Sequence, residues 1–102
     1  MSRLVVAPSA RNDLDQIWNY IAIENDAPTS ASRLLDRFHD AFSRLSRNTG
    51  IGTACDWLQP GLRRFPVWPY IVFYSRIADG VEILRVIHGA RNIEALFGVE
   101  EH

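Results

Sequence analysis

The sequence predicts an α+β fold in the order β-α-α-β-β-β, a helical hairpin packed on a small, mostly antiparallel sheet. Three observations predict it. Apolar residues recur at helical spacing over two consecutive stretches, from Leu14 to Ile21 and from Ala31 to Leu45. Three short strand-like runs then follow one another between Leu62 and Arg91. A first apolar run, Leu4-Val5-Val6-Ala7, precedes the helices and is closed by Pro8. Helices on one face of a sheet give such a pattern a way to bury every apolar stripe.

Each element has a local reason. Ser9 is a candidate cap for the first helix, in which Leu14, Ile17, Trp18 and Ile21 share one stripe while Asp13, Asp15, Gln16 and Asn19 fall mostly off it. That helix should end near Glu24-Asn25-Asp26. Pro28 suits the first position of a second helix, where its missing N–H is not needed. Ala31, Leu34, Leu35, Phe38, Ala41, Phe42 and Leu45 continue the 3.6 period to a stop at Asn48-Thr49-Gly50. The short link implies an antiparallel hairpin. Ile51–Gly61 reads as a loop carrying Trp57. The strands Leu62–Phe65, Tyr70–Tyr74 and Val81–His88 are separated by Pro66–Pro69 and by a turn at Asp79-Gly80. Asn92–Phe97 suits one helical turn, and the tail is expected to fray from about residue 98.

Bulk properties limit the function. The 102 residues predict one domain over residues 1–102, with 47% apolar and 23% charged residues and no bias towards disorder. A body of this size favours a macromolecular partner over a buried cofactor, and no cofactor is expected. The net charge of −1 argues against binding nucleic acid by phosphate neutralisation alone. Charge is unevenly placed, however: between Arg63 and Arg91 five arginines (63, 64, 76, 85 and 91) face only Asp79 and Glu82. A single cysteine, Cys55, excludes an internal disulfide and leaves a zinc site without ligands, so no metal is expected. With no signal-like or membrane-length apolar stretch, the reading is a soluble, cytoplasmic chain with no membrane partner.

The strands gather the residues that suggest chemistry. Arg63, Arg64, Tyr70, Tyr74, Arg85, His88 and Arg91 would share a surface too small to disperse them, on a sheet face left partly open. Arg85 alternates away from Leu84, which allows either a salt bridge with Glu82 or a helix carboxylate, or an exposed binding role. His88 is the only candidate proton shuttle near the arginines, and equally suits hydrogen-bonded scaffolding before Gly89. Arg91, at a strand exit, is a candidate functional charge. Trp18, Phe38 and Phe42 are assigned to the core. Trp57 and Trp68 lie among Gly and Pro, where each either plugs the end of the core or stands exposed as a contact anchor. Asp13 and Asp15 point in different directions on their helix and read as a solvated face.

Three segments carry a resemblance. Pro8–Ile21 is similar to the opening helix of the RelE/ParE superfamily of bacterial type II toxins. Leu62-Arg63-Arg64-Phe65 leading into Tyr70–Tyr74 matches its central strands, and Ile83–Asn92 its final strand and exit; the last is the most specific. Together they span residues 4 to about 97, and the ParE branch is the nearer. The resemblance implies a toxin neutralised by a small ParD-like antitoxin that wraps a helix and a strand around it. In the ribonuclease branch, basic residues and a tyrosine cleave messenger RNA on the ribosome; the ParE branch poisons DNA gyrase and blocks replication. Arg91 corresponds to the arginine after the last strand. Ile71 stands where the ribonuclease branch is basic, and Phe97 where it has its tyrosine. All eleven basic residues are arginine, which is a poor general base at neutral pH.

The resulting expectation is a toxin that acts by binding a type II topoisomerase, with no catalytic residues and no direct sequence-specific contact with nucleic acid. The candidate target-binding residues are Arg63, Arg64, Arg85, His88, Arg91 and Phe97. The candidate antitoxin-binding residues are Trp57, Trp68, Tyr70 and Tyr74. A ribosome-dependent endonuclease using His88 and Arg91, and an antitoxin-binding homologue without toxicity, are the alternatives.

Overall fold

A computed structural model describes residues 2–98. The chain runs through β1 (Arg3–Val6), α1 (Pro8–Trp18), a π-helical segment (Asn19–Glu24), α2 (Pro28–Arg47), β2 (Thr53–Ala54), β3 (Leu62–Val67), β4 (Tyr70–Ile77), β5 (Gly80–His88) and α3 (Ile93–Leu96). The sheet order is β1-β5-β4-β3-β2. Among the described residues only the β1–β5 pair is parallel; the other three pairings are antiparallel. The predicted α+β class, with its hairpin on a mostly antiparallel sheet, is the observed one.

Local departures have local causes. Pro8 is itself the first residue of α1, so Ser9 lies inside the first turn and caps nothing. The helix then widens: the Asn25 N–H reaches back five residues to the Tyr20 carbonyl, 3.0 Å away. Asp26, at φ 49, ends it. Pro28 opens α2 as expected, and Ala31, Leu34, Phe38, Ala41, Phe42 and Leu45 are its buried face, while Leu35 is half-buried. The stretch expected to be all loop contains the two-residue strand β2. The β4–β5 turn falls one residue early, at Ala78-Asp79, with Asp79 at φ 67. Gly80 is already in the strand, because β1 crosses it so closely that a Cβ there would fall on the Arg3 carbonyl. The turn expected over Asn92–Phe97 is α3, with the Asn92 side chain accepting from the Ala95 N–H at 3.2 Å. The fraying expected of the tail concerns residues outside those described.

Two apolar clusters sandwich the sheet. The larger joins Phe38, Phe42 and Leu45 of α2 to Val72, Tyr74, Val81, Ile83 and Val86. The smaller, on the other face, joins Cys55, Leu58, Leu62, Ile71, Phe73 and Ile87, with Leu84, Ile93, Leu96 and Phe97 packed on it. The expectation of a partly open face is therefore corrected. Tyr70–Tyr74 is buried at every position, and a continuous apolar run is the pattern of a strand covered on both sides. Trp18 is also corrected: it is half-buried and belongs to neither cluster.

A register shift explains why alternation misleads along β5. Phe73 pairs with Arg85 but Tyr74 pairs with Ile83, so Leu84 is the extra residue of a bulge. Odd-numbered Val81 and Ile83 and even-numbered Val86 consequently share one core. Beyond Ile83, moreover, β5 has no neighbouring strand on its outer side among the described residues, since β1 ends at Val6. Asp13 of α1 fills that place. Its carboxylate accepts from the Val86 backbone N–H at 2.9 Å and from two nitrogens of Arg85 at 2.8 and 3.0 Å. Asp13 is thus the buried charge among the described residues, while Asp15 is exposed; the solvated-face reading holds for the second alone.

Candidate interaction site

The C-terminal end of β5 forms one wall of a hollow of about 790 Å³. Ile17, Tyr20, Ile21 and Leu34 line its helical side, and Pro69, Tyr70, Val86, His88 and Arg91 its sheet side. The π-helical widening supplies Tyr20 and Ile21, and Tyr20 remains exposed. Asp13 lies in the wall but is committed to Arg85, so Arg37, His88 and Arg91 set the polarity of the rim. The site is an amphipathic groove with an apolar helical side and a cationic edge.

The structure divides the predicted residues between several places. His88 and Arg91 meet at this groove and are exposed. The His88 ring stands edge-on to Tyr70 at 5.3 Å, and its Nδ1 accepts from the Ala90 N–H at 3.0 Å, which fixes the strand exit. Tyr70 is buried between Phe38 and His88; burial, then the neighbouring Tyr20, pushes its hydroxyl above the ordinary tyrosine range. Arg85 is drawn into the Asp13 pair, whose hydrogen bond keeps it protonated beyond its already high range. It is a strut between α1 and β5, and of the two readings left open by the sequence the helix carboxylate is the one observed.

Arg63 lies further along β3, directly across from Tyr74. Its guanidinium donates to the Gly50 and Gly52 carbonyls at 3.1 and 2.6 Å and so fastens the loop after α2. Tyr74 is fully buried, accepting from the Gly52 N–H at 3.0 Å and donating to the Thr49 carbonyl at 2.9 Å. It offers no surface, so grouping it with contact residues is corrected. Its hydroxyl reflects what its backbone neighbours need rather than what a partner would. Arg64 is exposed. Phe97 is half-buried, its ring 4.9 Å from that of Phe73. Trp57 and Trp68 are 59% and 64% exposed, which settles the core-plug alternative against both.

Sequence reasoning missed Arg37 and Tyr20. Each immediately precedes an apolar-stripe residue, Phe38 and Ile21, and side chains flanking a buried stripe border whatever groove it leaves. That position was the available signal. Among the described residues no group of three or more His, Cys, Asp or Glu could hold a metal, and no helix is long and apolar enough to cross a membrane.

Residues 4–93 match the family described as the ParE toxin of the type II toxin-antitoxin system parDE. The chain belongs to the ParE toxin family. Among its relatives, Toxin ParE3 of Caulobacter vibrioides is 35% identical over 98 residues, covering 96% of this chain and 97% of the relative. Toxin ParE1 of Mycobacterium tuberculosis is 28% identical over 94 residues, covering 91% and 95%. A solved structure described as a chromosomal ParDE TA system from P. aeruginosa has the same fold, with TM-score 0.69 at 22% identity over 86% of this chain and 96% of that one. The match to ParE relatives runs nearly end to end, so the groove, both clusters and the cationic edge all lie on the framework of a ParE toxin.

Proposed function

We propose that this ParE-family toxin arrests replication by binding DNA gyrase and trapping its cleaved-DNA state, and that a ParD-like antitoxin neutralises it in the cytoplasm. One observation carries the choice of a binding mode. RNA cleavage by 2′-OH attack needs groups that accept and donate protons at the phosphate. At the two positions where the ribonuclease branch would place them, this chain has Ile71, buried in the second cluster, and Phe97, packed at a tilt against Phe73 in the same cluster. Both are used for packing. Arg64, His88 and Arg91 remain at the surface for a target, together with whatever part of Phe97 is left uncovered.

The groove suits the antitoxin. An amphipathic segment could lay apolar side chains on Ile17, Ile21 and Leu34 and carboxylates towards Arg37 and Arg91. The ParDE description of the P. aeruginosa neighbour is consistent with such a partner.

Induction of the chain without antitoxin, followed by pulse-labelling of DNA and protein synthesis, tests the proposal. DNA synthesis should fall first, with filamentous cells. Protein synthesis falling first would replace the proposal with the ribonuclease. A soluble chain that affects neither would indicate a homologue that binds antitoxin without toxicity.

A further inference from the structure

We infer that Trp68 and the arginines around it form a surface that binds single-stranded nucleic acid without regard to sequence. Trp68 stands in the β3–β4 turn with 64% of its surface exposed. A hollow lies on either side of it. One, of about 310 Å³, is lined by Arg37, Asp40, Arg44, Phe65 and Trp68 among others. The other, of about 230 Å³, lies between Trp68, Arg64, Thr53, Pro66 and Ile71.

These groups are held in place. Arg37 Nη2 donates to the Trp68 carbonyl at 2.9 Å, fastening the turn to α2. The Arg44 guanidinium carbon lies over the Phe65 ring, 5.6 Å from its centre, a cation–π contact. On its third side the indole lies across the β5 exit, since a Cβ on Gly89 would come within 3.2 Å of it. Among the described residues none of Arg37, Arg44 and Arg64 has an ion-pair partner, and Asp40 is the only carboxylate lining the two hollows.

An exposed indole with arginines lining the hollow on each side of it suits a single strand. Each nucleotide offers a π face to stack on the indole, whatever its base, and phosphates recur on either side to meet a guanidinium fork. An acidic peptide would neutralise the arginines and leave the indole face without a regular partner. With a net charge of −1, the chain lacks long-range attraction, so binding should be local, weak and strongly dependent on salt. This inference does not depend on the gyrase reading, and either can fail alone.

The test is fluorescence anisotropy of a labelled twelve-nucleotide oligo(dT) titrated with the full chain at rising NaCl. Three phosphate contacts predict a slope of log K against log salt of about −2. Trp68→Ala should weaken binding about five- to hundredfold, while the equally exposed Trp57→Ala leaves it unchanged. Arg44→Gln and Arg64→Gln should each flatten the slope by about 0.7. Circular dichroism confirms that each variant is folded, and Trp68→Phe, which keeps a stacking ring, should retain part of the affinity. The inference is overturned if the folded wild type does not bind at 50 mM salt, or if Trp68→Ala binds as tightly as wild type. It is also overturned if duplex DNA competes equally, or if a polyglutamate peptide does so with the same sensitivity to Trp68→Ala.

Discussion

Removal of the Asp13 carboxylate should be among the most damaging single changes in this chain. The carboxylate serves three donors: two from Arg85 and the buried backbone N–H of Val86. Deleting one partner of a buried ion pair costs about 3–5 kcal/mol. Here the Arg85 side chain keeps 28% exposure and can be partly rehydrated, which places its share at the lower end. Val86 is only 3% exposed, and an unsatisfied buried donor costs about 1–3 kcal/mol. Because both losses stem from one carboxylate they do not add in full, and the total is about 3–4 kcal/mol for Asp13→Ala, and about 2–3 kcal/mol for Asp13→Asn, which keeps one acceptor. For a domain of this size, that lowers the melting temperature of Asp13→Ala by roughly 15–25 °C. Urea denaturation of Asp13→Ala, Arg85→Met and the double variant measures both the loss and the coupling. The double variant should be less destabilised than the sum of the two by at least about 1 kcal/mol. Additive losses, or an Asp13→Ala protein within about 0.5 kcal/mol of wild type, would refute the argument.

Three other predictions rest on packing. Tyr74→Phe leaves the Gly52 N–H without its acceptor and should cost about 2 kcal/mol by chemical denaturation. Gly80→Ala drives a methyl into the Arg3 carbonyl and should cost about 3 kcal/mol or more, with β1 amides losing hydrogen-exchange protection first. Cys55 is 1% exposed, and burial pushes its thiol above the ordinary range against the pull of Arg64, so at pH 8 Ellman's reagent should label it about a hundredfold more slowly in the native chain than in urea.

Much of the fold was legible because its signals are local. The α2 stripe, Pro28 at a helix start and Asn92 before a short turn each follow from residue chemistry within one or two turns of helix. What failed depended on distant partners. Asp13 reads as a surface acid until β1 is seen to stop at Val6, leaving a β5 edge for it to cover. The bulge at Leu84 is invisible in a run of apolar residues, yet it decides which of Val81 to Ile87 share a core. Burial of Tyr70–Tyr74 on both faces was written in their unbroken apolarity, but the cover comes from residues 55–62 and 93–97, which are not adjacent in sequence. The site was correspondingly half-legible: His88 and Arg91 could be picked out at a strand exit, whereas Arg37 and Tyr20 gain a role only when α1 and α2 close the groove.

Whether this toxin poisons gyrase is decided by a cleavage assay. Purified gyrase, supercoiled plasmid and ATP are incubated with the chain, and products are resolved after protein denaturation. Linear DNA should accumulate as toxin is added, supercoiling should fall in parallel, and a ParD-like antitoxin should reverse both. Undiminished supercoiling with no linear product, at a toxin excess that arrests growth in cells, would contradict gyrase poisoning.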